Sequence, residues 1–217
     1  MRKNRVIASN PKVIVGLSDP TVLLCAILTR CHLVTFHGPV VQFDMSWHYT
    51  PFTEEFMRKA LFSSEPIGPI PGLGSANVLR PGTARGPLIG GNLTSLQLLL
   101  GTPFEPEWEG RILFWEDIFE QPHSLDAKLT HFQSAGVFDQ IAGMVIGTLV
   151  ECNEEEYPSC PPMQEIVLRL CHEYDFPILW AVNLVHTKDK ITVPLGVPAE
   201  IDSSGSVFEI LGSGVQS

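Results

Sequence analysis

The feature that most constrains this chain lies near its start. There the β-branched run Val13-Ile-Val15 is closed by Gly16 and followed at once by Leu17-Ser18-Asp19-Pro20-Thr21. Such a run reads as a short buried strand. Ser18 or Asp19 can cap a helix and Pro20 suits a first helical turn, so a helix is expected from there to about Cys31. Strand, glycine, tight turn and helix commit the chain to layers of helix on sheet. The rest of the sequence agrees: short apolar runs at 33–36, 111–115, 143–150 and 178–182 alternate with helical patterns at 53–62, 93–100 and 124–136. After Pro161-Pro162, the residues Met163, Ile166, Val167, Leu170, Cys171 and Tyr174 fall on one helical face. Further short strands are expected at 191–193, 199–201 and 207–211. The fold class is α/β.

Pro66-Ile-Gly-Pro-Ile-Pro-Gly-Leu-Gly74 is rich in breakers and reads as irregular connection. A length of 217 residues suits one large domain or two small ones. The net charge of −10, with only 14 basic residues and no run beyond Arg2-Lys3, argues against nucleic acid as a partner. The longest purely apolar run, residues 22–28, is too short to span a bilayer. The basic N-terminus lacks the apolar stretch of a signal peptide, so a cytoplasmic address is the default expectation. Five cysteines without a CxxC pair suggest neither a disulfide framework nor a zinc site. No metal and no cofactor are expected.

A serine on a sharp strand-to-helix turn exposes its hydroxyl, with the next backbone N–H facing the same point and a helix dipole behind it. Ser18 fits that description, with the Asp19 N–H as oxyanion donor, although Ser18 or Asp19 would serve equally as a plain helix cap. Serine needs a base. Seven histidines are available, of which His186 stands in a polar loop after a buried strand, where catalytic groups collect in α/β folds; His37, before Gly38-Pro39, is also compatible with a structural role. A carboxylate should orient the base, and Glu116 and Asp117 both sit at the end of a strand.

Taken in order, several segments resemble the LD-carboxypeptidase family of serine peptidases, which includes the microcin C self-immunity proteins. They are Pro11-Lys-Val-Ile-Val-Gly-Leu-Ser-Asp19, Leu33-Val-Thr-Phe-His-Gly-Pro39, Gly86-Pro-Leu-Ile-Gly-Gly-Asn-Leu93, Leu100-Gly-Thr-Pro-Phe-Glu-Pro106, Ile112-Leu-Phe-Trp-Glu-Asp117, Ala135-Gly-Val-Phe-Asp139 and His186-Thr-Lys-Asp-Lys-Ile-Thr-Val-Pro-Leu-Gly196. The resemblance implies a Ser–Glu–His triad, here Ser18, Glu116 and His186, and hydrolysis of an amide through an acyl-enzyme. It implies two domains: residues 1–46 as part of an N-terminal nucleophile domain, 47–85 as linker or insertion, and 86–217 as the C-terminal domain carrying the glutamate and histidine. It also implies a small peptide or peptidyl-nucleotide substrate and a homodimer. Trp47 and Asn92 are candidate substrate contacts; aromatic residues in the insertion, such as Trp47 and Tyr49, could stack on a base.

Val185, Ala127 and Lys190 stand where the family favours glycine, arginine and asparagine, departures that bear on specificity. Relative to the family the chain also lacks a leading segment with a glycine-rich oxyanion loop. The expectation is therefore weak activity or none, with an inactive member as the alternative to a working hydrolase.

Overall fold

The computed structural model describes residues 2–216 apart from 47–48, 153–155 and 185–186. A small sheet joins β1 (Val15–Gly16), β2 (Thr35–His37) and β9 (Val193–Leu195) in the order β1-β2-β9, the first pair parallel and the second antiparallel. The large sheet takes in β3 (Gly68–Pro69), β4 (Val78–Arg80), β5 (Thr83–Asn92), β6 (Ile112–Glu116), β7 (Gly143–Gly147), β8 (Ile178–Val182), β10 (Pro198–Asp202) and β11 (Val207–Ile210). Its strand order is β3-β11-β10-β5-β6-β7-β8-β4. The central run from β5 to β8 is parallel. Buried on both faces, such strands read as continuous apolar runs, and every residue of β6 and β7 is buried.

The helices are α1 (Arg2–Ser9), α2 (Thr21–Cys31), α3 (Pro51–Phe62), α4 (Leu93–Gln97), α5 (Pro122–Ser134) and α6 (Met163–Leu170). α6 buries Met163, Ile166, Val167 and Leu170, the stripe its spacing predicts. α2 packs on β2 and β5 and so ties the small sheet to the large one. Among the described residues no helix is long and apolar enough to cross a membrane.

Three expectations change. The breaker-rich stretch from Pro66 to Gly74 is not wholly irregular, because β3 pairs with β11 inside it. Together with β4, it makes the 47–85 segment supply both outer strands of the large sheet rather than a mere connection. The longest strand, β5, runs through Gly86-Pro87 and Gly90-Gly91, where breakers hide it from a propensity reading. Its glycines are required by close approach: a Cβ on Gly90 would lie 1.7 Å from the Phe114 carbonyl oxygen, at φ +149°. Finally, α5 spans Pro122–Ser134, starting and ending two residues ahead of the expected 124–136.

Candidate active site

Leu17-Ser18-Asp19 turns the chain from β1 into α2 in the least possible space. A Cβ on Gly16 would come within 2.6 Å of Pro20 Cβ, so only glycine lets the strand meet the helix here. Ser18 pays a backbone cost, with φ at +66° in the left-handed region that side chains other than glycine's seldom adopt. Strain of this kind collects at functional sites because the surroundings must enforce it. The Ser18 carbonyl accepts from Thr21 N at 2.8 Å, and α2 begins with no side-chain cap from Ser18 or Asp19. The capping role, open from sequence, is not the one Ser18 plays.

The turn is pinned against the end of β5. Thr21 Oγ1 accepts from Asn92 N at 3.1 Å, and Gly91 leaves room for the Thr21 side chain, which a Cβ would meet at 2.6 Å. Asn92 is in register with Glu116 on β6, so the start of α2 and the end of β6 are brought to the same edge of the structure. On the other side β1 pairs with β2, Gly16 opposite His37, and Gly38 N donates to the Gly16 carbonyl at 2.9 Å.

The adjacent carboxylates separate. Asp117 accepts from Asn92 Nδ2, Thr94 N, Thr94 Oγ1 and its neighbour's Ile118 N, at 2.8–3.0 Å. Burial pushes its carboxyl above the ordinary value, and these hydrogen bonds oppose the rise. Asp117 thus locks α4 to the end of β6. Glu116, fully buried, points elsewhere: its Oε1 lies 3.6 Å from His37 Nε2, whose ring meets Phe114 edge-on. Gly147 makes the space for it, since a Cβ there would stand 2.8 Å from Glu116 Cβ.

His37 is fully enclosed, packed behind the Glu116 carboxylate. His32, His123, His131 and His172 are exposed, and no described histidine lines the cavity at Ser18. His186 and Trp47 lie outside the described residues. Among the described residues on either side, Ile191 N donates to the Leu184 carbonyl at 2.7 Å, and Thr187 Oγ1 bonds Asn183 Oδ1 and the Asp189 carbonyl. Asn92, a candidate substrate contact, has both ends of its amide engaged within the protein, donating to Asp117 and accepting from Ser95 N at 3.0 Å. In the structure Asn92 caps α4.

These parts open on one cavity of about 690 Å³. Leu17, Ser18, Asp19 and Pro20 form one wall, Val40, Gln42, Phe43 and Asp44 a second, and Ile118, Phe119 and Lys190 the rest. The second wall is a π-helical turn, Val41–Met45, that pattern reading missed, because nothing in local propensity marks such turns. Phe43 and Phe119 are 65% and 68% exposed at the mouth, and Phe119 also has a positive φ, +59°. Burial raises the thiols of Cys25 and Cys171 to about 12 and that of Cys152 to about 11, which leaves all three inert as nucleophiles at neutral pH. Among the described residues no group of three or more potential ligands could hold a metal ion.

An α/β sheet carrying a strained serine at a strand-to-helix turn, beside a cavity, is the frame in which many hydrolases hold a nucleophile. The chain belongs to the LD-carboxypeptidase family: the family's C-terminal domain model matches residues 85–201 and its N-terminal domain model matches residues 3–38. It is 31% identical over 199 residues to a Bacillus subtilis protein named "Probable murein peptide carboxypeptidase", covering 92% of this chain and 62% of that protein. The microcin C7 self-immunity protein of Escherichia coli is 28% identical over 230 residues, covering 90% of this chain and 64% of that protein. The muramoyltetrapeptide carboxypeptidase of Oxalobacter formigenes has a similar structure, with TM-score 0.85, 28% identity, and coverage of 97% of this chain and 72% of that one. The chain thus spans about three fifths of the length of the curated relatives it matches.

Proposed function

We propose that this chain carries the acyl-transfer site of an amide hydrolase acting on murein peptides, with Ser18 as nucleophile, His186 as base and Glu116 as the carboxylate that orients it. The observation that carries this reading is the shared cavity: the Ser18 turn and Lys190, four residues beyond His186, line the same space, and the segment leaving Glu116 lines it too. Asp117, the rival carboxylate, is spent on four hydrogen bonds, which favours Glu116. Residues 1–46 and 86–217 are then the two functional parts, one bringing the serine and the other the glutamate and histidine.

In this reading Ser18 Oγ attacks the carbonyl before a terminal D-residue as His186 takes the hydroxyl proton. The negative charge on the tetrahedral intermediate faces the Asp19 N–H and the N-terminus of α2, and one donor of this sort is worth roughly 10²–10³ in rate. Collapse breaks the C–N bond, and His186 returns the proton to the departing amine. Water, deprotonated by His186, then cleaves the acyl ester.

A second reading, a peptidyl or aminoacyl nucleotide as substrate, is favoured by the two exposed rings, Phe43 and Phe119, at the cavity mouth. It accords with the microcin C7 self-immunity protein, a mutant of which has been solved with adenosine monophosphate and matches this chain with TM-score 0.84 and 25% identity.

The deciding experiment offers the purified protein a murein tetrapeptide and, separately, an aminoacyl-sulfamoyl adenosine. Slow release of terminal D-alanine is expected, and Ser18→Ala should abolish it at an unchanged melting temperature. Equal hydrolysis by parent and variant would remove Ser18 from the mechanism. Cleavage of the nucleotide alone would select the second reading, and turnover of neither would favour an inactive member.

A further inference from the structure

We infer that Lys190 and Asp44 form a positioning pair that holds the His186 loop in register with the serine turn, an inference that rests on the proposed roles of Ser18 and His186. Lys190 Nζ lies 3.1 Å from Asp44 Oδ1, and both side chains are only 10% exposed. The second Asp44 oxygen accepts from Val40 N at 2.7 Å, which fixes the carboxylate to the start of the π-helical turn. Lys190 Nζ also donates to the carbonyl of Thr187, the residue after His186. One ammonium therefore grips the loop from within and ties it to a different element.

The tie leads directly to the nucleophile. The π-helical turn follows β2, and β2 is paired with the strand that delivers Ser18, Gly16 opposite His37. Lys190 and Asp44 thus close a circuit that runs from serine turn through β1, β2 and π-helical turn to the base loop. Two hydrogen bonds reinforce the same junction from the N-terminal end of α3: Lys190 N donates to Thr53 Oγ1 at 3.0 Å, and Thr50 Oγ1 donates to Asp189 Oδ1 at 2.7 Å. The Lys190–Asp44 pair adds two opposite charges buried against each other. Shielded from water, each charge needs the other, so the loop cannot swing away without exposing or orphaning a charge. Two of the three ammonium protons are committed to Asp44 and Thr187, which makes Lys190 a brace rather than a receptor for a substrate carboxylate.

The resemblance leads one to expect asparagine near residue 190, where this chain has Lys190. A shorter neutral amide could not span the same gap with charge.

The test uses the full chain as Lys190→Met, Asp44→Asn and the exchanged double variant Lys190→Asp/Asp44→Lys. Hydrogen exchange of the segment 183–191 is read first, because it needs no turnover. Protection is expected to fall in both single variants and to return at least partly in the exchanged pair. Protection equal to the parent's in both single variants overturns the inference, whether or not the protein hydrolyses anything. On the murein tetrapeptide the single variants should lose roughly tenfold to a hundredfold in kcat, the scale of a small misplacement of reacting groups, with KM nearly unchanged. A rise in KM at constant kcat would instead make Lys190 a substrate contact and overturn the positioning role. A parent that turns over no substrate refutes the proposed function, while the exchange data still decide whether the brace exists.

Discussion

Glu116 and Asp117 are neighbours in the chain and strangers in the structure. Strand pleating sends successive side chains to opposite sides, so one acid faces His37 and the other faces α4. Sequence placed both at a strand end and could go no further, because the choice depends on Asn92 and Thr94, more than twenty residues away in the chain. Ser18 was legible for the opposite reason: its strand, glycine and helix start lie within nine consecutive residues. Asp44 was not legible at all, since its partner is Lys190, from the far end of the chain. The Asp117 network yields a prediction at this scale. Asp117→Asn keeps the shape but places an NH₂ group among four donors, leaving donors without an acceptor. Each such loss costs about 1–3 kcal/mol, partly offset by relief of the burial that raises the Asp117 carboxyl. Urea denaturation at pH 7 should show a fall of that order, and equal midpoints for the two proteins would mean the network holds nothing.

Among elements, legibility followed the regularity of the pattern. α6 declares itself by its stripe, and β6 and β7 by unbroken apolar runs. β5 is the instructive failure. It is the longest strand and the one that sets the Asn92–Glu116 register, yet glycine and proline interrupt it. Those glycines look like punctuation in sequence and are close-packing devices in the fold. Gly90→Ala would force a methyl group against the Phe114 carbonyl at positive φ, so destabilisation is expected at the upper end of the roughly 1–3 kcal/mol typical of overpacking. For a chain of this size that is a fall in Tm of roughly 6–12 °C. Gly101→Ala is the control. It also has a positive φ, +72°, but nothing stands within 4 Å of the added Cβ, so only the backbone term of about 1 kcal/mol should appear. Equal melting temperatures for the two variants would show that the approach to Phe114 is not what fixes Gly90.

At the scale of the molecule the two sheets end differently. The large sheet is closed off by short strands, β3 at one margin and β4 at the other, both drawn from the segment that reads in sequence as a connection. Two- and three-residue margins offer little to pair with, which is how proteins blunt an edge. The small sheet has no such finish at β1, which pairs with β2 on one side only among the described residues. Parallel strands are ordinarily covered, and here Val13, just ahead of β1, is 52% exposed. An edge of this sort invites another strand, so the protein in solution should self-associate with rising concentration. Sedimentation velocity across a concentration series should show the shift. Val13→Lys should move it to higher concentration while altering stability by no more than about 0.5 kcal/mol, because the side chain is not part of the core. The site bears on this directly: β1 delivers Ser18, so whatever pairs with β1 stiffens the strained turn on which the nucleophile stands. A sedimentation coefficient independent of concentration in both proteins would mean that this edge is protected in some other way, and that the serine turn owes its geometry to β2, α2 and β5 alone.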